Sequence, residues 1–127
     1  MAHYDLPLDL PHAGRIAGRI VELLERHCEE HGIDAPEVFD RAERLDGMLF
    51  RFVEEDENPG EREAAEMREK AAAVARQLVD ALEAAQIAGD RLGQYVRNLF
   101  ECLELGEEGA QISLRVGEKP DSLMRAQ

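Results

Sequence analysis

EREAAEMREKAAAVARQLVDALEAAQIA, residues 61–88, is the stretch that decides the fold. Its apolar residues Ala64, Met67, Ala71, Val74, Leu78, Ala81, Ala85 and Ala88 recur at alternating steps of three and four. That alternation is one face of an α-helix, sustained over about three heptads, with Val79 and Leu82 flanking the seam. The many alanines let a partner helix come close at a low crossing angle. A long helix with one apolar face has to bury that face against other helices. The fold class is therefore all-α.

Working outward, Asn58-Pro59-Gly60 stops the chain before this helix, and Gly89-Asp90 breaks it afterwards. Upstream, Asp34, Pro36 and Glu37 form a helix start with the spacing of a capping box. The stripe Val38, Ala42, Leu45, Leu49 and Phe52 follows it. The first helix opens near Pro11, runs through Ala13, Ile16, Ile20, Leu23 and Leu24, and closes at Gly32. Gly14 and Gly18, one turn apart on one face, mark a close helix–helix approach. The last helix carries Leu92, Tyr95, Val96, Leu99, Phe100 and Leu103 and ends at Gly106.

These signals predict one domain over residues 1–127, with helices over about 11–31, 35–57, 61–88 and 90–105. Short connections make neighbours antiparallel, so the expected architecture is a four-helix up-and-down bundle. The flanks, residues 1–10 and 106–127, read as extended arms. Tyr4, Leu6, Leu8 and Leu10 alternate at one end, and Ile112, Leu114 and Val116 at the other, which is the period of a strand. The two arms are able to pair as a small terminal β-ribbon, within one chain or across a dimer. A homodimer is expected because Val74, Val79 and Leu82 widen the seam of the third helix beyond what one neighbour covers.

Composition narrows the function classes. With 44% apolar and 34% charged residues, the chain is too hydrophobic for a disordered acidic tail. No apolar run approaches the roughly 20 residues that span a bilayer. No basic-then-apolar leader opens the chain, so the expected location is cytoplasmic. The net charge of −13 argues against direct nucleic-acid binding, which needs clustered cations. Lys70 and Lys119 are the only lysines.

The acids are unevenly placed. In the expected topology the end of the second helix, the start of the third and the end of the fourth share one pole. There stand Glu54, Glu55, Asp56, Glu57, Glu61, Glu63, Glu101, Glu104, Glu107 and Glu108. Nearby are Arg15, Arg19, Arg51, Arg62 and Arg97, so ten acids minus five arginines leave about −5. Glu54 to Glu57 and Glu101 to Glu108 are placed at helix carboxyl ends, where an acid is disfavoured by roughly 0.3–1 kcal/mol. A basic partner surface would offset that cost. The expected docking residues are Glu54, Glu55, Asp56, Glu57, Glu104, Glu107 and Glu108.

Chemical motifs are sparse. Ser113 and Ser122 are the only serines, neither in a nucleophile turn, and no glycine loop for phosphate exists. The expectation is a protein that is not an enzyme and carries no cofactor. His27 and His31 lie one turn apart with Cys28 between them, which supplies the alternative reading of a metal-binding or weakly catalytic helical protein. Against it, a histidine near a helix carboxyl end interacts favourably with the helix dipole without any metal. The stretch Arg26-His27-Cys28-Glu29-Glu30-His31 also resembles the short Arg, four residues, His motif of the HEPN ribonuclease family. The resemblance implies RNA cleavage by Arg26 and His31. It covers six residues of 127 and sits in the first helix, whereas the family carries it towards the end of the domain.

Overall fold

The computed structural model describes residues 10–55, 57 and 59–117. It contains five helices: α1 (Leu10–His31), α2 (Pro36–Glu55), α3 (Glu61–Ala84), α4 (Asp90–Cys102) and α5 (Gly106–Val116). No strand occurs among the described residues.

The helices close a circuit of neighbours. α1 packs on α2 and α4, α2 on α3, α3 on α5, and α5 on α4. Gly14 lies beside Leu49 and Val53, and Gly18 beside Asp46, so α1 and α2 are antiparallel. Gly93 faces Gly117 while Gly109 faces Phe100, which makes α4 and α5 antiparallel as well. Along α3 and α5, Arg76 binds Glu108 and Glu83 binds Arg115, so this pair runs in parallel. A closed circuit with an odd number of members cannot alternate direction at every contact. Here the parallel contact falls between α3 and α5, where ion pairs line the seam.

Three expectations are corrected. The four-helix bundle becomes five helices, because residues 106–116 are helical and not an extended arm. Ile112 and Val116, with Gly109 and Ser113, are buried at positions i+3, i+7, i and i+4 of one helical face. Leu114, the residue that completed the apparent strand pattern, is 42% exposed. The terminal ribbon therefore has no carboxyl-terminal strand, and its other half, residues 1–9, lies outside the described residues. Third, α3 stops at Ala84 and α4 at Cys102, short of the expected 88 and 105.

The early stops have a local cause. After α3, Gln86 adopts φ +60°, and the amides of Gln86 and Ile87 bond to the carbonyls of Glu83 and Leu82. After α4, Glu104 adopts φ +65°, and the amides of Glu104 and Leu105 bond to Glu101 and Phe100. Both are Schellman closures with a side chain in the left-handed position that glycine ordinarily fills. α1 closes in the same way with glycine in that position: Gly32 has φ +62°, and Ile33 bonds back to Cys28.

One core joins all five helices. Ile20, Leu24, Leu45, Leu49, Phe52, Leu78, Leu82, Leu99 and Phe100 are buried, with Ile112 and Val116 from α5. Each such side chain contributes roughly 1.5–3 kcal/mol of burial free energy. Val74, Val79 and Leu82 are buried within the single chain, because α3 serves two neighbours, α2 and α5. The wide seam that suggested a dimer is filled from inside. No helix among the described residues is long and apolar enough to cross a membrane.

Candidate acidic interaction surface

The α2–α3 turn gathers the first group of acids. Glu54 and Glu55 close α2, whose last turn holds no basic residue. Glu61 and Glu63 open α3, where the amino-end dipole favours them. Glu54, Glu55, Glu57, Glu61 and Glu63 are all exposed. Glu55, Glu57 and Glu63 line a shallow depression with Arg51, Phe52 and Pro59. Arg51 is bound to Glu63, with its guanidinium 4.6 Å from the Phe52 ring centroid. Asp56, expected in this group, lies outside the described residues.

The α4–α5 junction carries the second group. α4 ends on the same side as α2, as expected: Glu104 lies 3.3 Å from Arg68, two turns into α3. Glu108 is elsewhere. It receives a bidentate pair from Arg76 at 2.7 and 2.9 Å. Arg76 lies fifteen residues past Glu61, or about 22 Å along the helix. The Arg76 hydrogen bonds hold the Glu108 carboxyl below the usual range. Glu107 and Glu108 occupy the first turn of α5, so they stand at a helix amino end. That reverses their expected placement: α5 supplies a dipole that favours both.

The single pole therefore divides. Glu54, Glu55 and Glu57 share the α2–α3 turn. Glu104 reaches the same side but is matched by Arg68, and Glu108 is matched by Arg76 along the flank. The remaining seam is also paired, with Arg115 bound to Asp80 at 3.3 Å and to Glu83.

Two features lay outside the sequence reading. Phe50 is 50% exposed on α2. Asp46, one turn before it and beside Gly18, has its carboxyl pushed above the ordinary value by burial, then by Glu22 and Glu43. The signal for Phe50 was present, since it falls off the stripe that carries Val38, Ala42, Leu45, Leu49 and Phe52.

At the end of α1 the His27 and His31 rings meet edge to face, with centroids 4.4 Å apart. Cys28 is buried in the core, and burial followed by the charge of Asp34 raises its thiol. Among the described residues no group of three or more His, Cys, Asp and Glu is placed to hold a metal ion. No protein family, curated protein or solved structure matches this chain.

Proposed function

We propose that the chain is a non-enzymatic protein–protein interaction module, a small acidic adaptor, regulator or inhibitor that docks the basic surface of a partner protein. The carrying observation is the α2–α3 turn, where Glu54, Glu55, Glu57 and Glu61 are exposed together. Of the cations beside the turn, Arg51 is engaged by Glu63 and Phe52, which leaves the exposed Arg62 next to Glu61 against the four carboxylates. Such a surface attracts a basic partner from a distance and makes association salt-sensitive. Glu54, Glu55 and Glu57, with Asp56 by sequence, form the centre of the docking site. Glu104 reaches the same side but is matched by Arg68, while Glu107 stands with Glu108 in the first turn of α5 along the flank, where Glu108 contributes to the fold through its Arg76 pair.

Replacing Glu54, Glu55 and Glu57 together by lysine is expected to abolish capture of the partner from a native extract while the thermal melt stays unchanged. Unaltered capture by the folded triple variant refutes the docking site. The binding unit is taken as one chain, since Val74, Val79 and Leu82, which suggested a homodimer, are buried within it. Light scattering that returns twice 14.3 kDa would revise this.

A further inference from the structure

We propose that the outward face of α2 around Phe50 receives an arginine side chain from a basic segment of the partner protein, its guanidinium stacked on the ring and bound by a flanking carboxylate. This rests on the reading above that the partner is basic, and it specifies what that partner presents.

At 100° per residue, Phe39, Glu43, Asp46, Gly47, Val53 and Glu54 all lie within about 60° of Phe50 on the α2 surface. No arginine or lysine of α2 shares that sector. Elsewhere the acids that approach α3 are matched by Arg51, Arg68, Arg76 or Arg115. On the Phe50 face the charges felt at Asp46 are the carboxylates of Glu22 and Glu43. Gly47, on the same sector, is open: a Cβ there would meet nothing within 4 Å. The face thus combines a half-exposed aromatic, open space at Gly47 and carboxylates that make no ion pair among the described residues.

Charge complementarity selects a cation, and the aromatic selects which one. A guanidinium is planar, weakly hydrated and stacks on rings, whereas an ammonium holds its water. The chain already makes this arrangement internally, since Arg51 lies over Phe52 while bound to Glu63. Phe50, with Glu54 one turn beyond it, repeats the same parts and leaves the arginine to come from outside.

The test titrates the full chain with oligo-arginine and oligo-lysine peptides of equal length at low salt, followed by calorimetry and amide chemical shifts. The arginine peptide is expected to bind about two- to five-fold tighter, with the largest shifts around Gly47 and Phe50. Phe50→Leu should erase that preference and leave lysine-peptide affinity unchanged, while Phe50→Tyr retains it. Leu114→Ala, at the other large exposed apolar side chain among the described residues, should have no effect. Equal affinity for the two peptides, or a preference that survives Phe50→Leu, overturns the inference. The docking reading fails separately, if the Glu54, Glu55 and Glu57 lysine variant binds both peptides as the parent does.

Discussion

Adding one methyl group at Gly109 tests the placement of α5 more directly than any other change. An ideal Cβ there would stand 2.6 Å from the Cβ of Phe100 and 3.2 Å from the carbonyl oxygen of Arg97. Ordinary contacts of this kind begin near 3.4 Å, so α5 has to lift from α4 by close to 1 Å. Neither neighbour can swing aside: one is a Cβ of a fully buried side chain and the other is backbone. Overpacking of this kind costs about 1–3 kcal/mol, and the better helix propensity of alanine returns at most about 1. Gly47→Ala is the matched control, since it is also inside a helix but its new methyl meets open space. Gly47→Ala should stabilise by about 0.5–1 kcal/mol, and Gly109→Ala should destabilise by up to about 2. For a domain of this size each kcal/mol moves the melting temperature by about 4 °C. Urea melts of the two variants with the parent read the difference, and amide exchange should show the added loss concentrated in α5. If Gly109→Ala raises stability as Gly47→Ala does, the close seating of α5 on α4 is wrong, and the closed circuit with it.

Three further outcomes follow from local geometry. Gln86→Gly relieves a side chain held at positive φ and should stabilise by roughly 0.5–1 kcal/mol in thermal or chemical melts, with α3 unchanged in length. Asp46→Asn removes a carboxylate that burial and two like charges disfavour. Because its folded pKa is raised, the ionised form costs stability at neutral pH, and that cost vanishes as pH falls through the folded value and below 3.8. The Asn variant should therefore be the more stable at pH 7 by a few tenths of a kcal/mol, with the gap closing in acid. Arg76→Ala takes one exposed pair from the parallel seam and should cost no more than about 1 kcal/mol at low salt, and less in molar salt, by urea melts.

Much of this architecture was written in the stripes. The seams on residues 38–52 and 64–82 become buried faces, and Gly14 sits where the backbones of α1 and α2 nearly touch, 2.5 Å from Val53 by its missing Cβ. What escaped was decided by non-local packing. Ile112, Leu114 and Val116 satisfy a strand period and half of a helical one. Only the presence of α4 beneath Gly109 and Gly117 makes the helical choice win. Likewise Gln86 and Glu104 carry no glycine-like signal, so helix ends closed by them look like helix interior until Ile87 and Leu105 are seen folding back. The grouping of Glu54, Glu55 and Glu57 was legible at the α2–α3 turn, where sequence neighbours stay neighbours. The expected pole failed at Glu107 and Glu108, whose surroundings change sign once a fifth helix begins beneath them.

Five alternating segments also determine where the described helical region begins and ends. Leu10 opens α1 beside the last turns of α2, at the end that holds the acidic turn, while Gly117 meets Gly89 at the opposite extremity. The 24 residues of α3 separate these points by about 36 Å. A module tethered through Gly117 would hold its acidic turn outward, away from whatever it is joined to. The start of α1, by contrast, stands beside that turn, so attachment at the Gly117 end is the choice for an assay of binding.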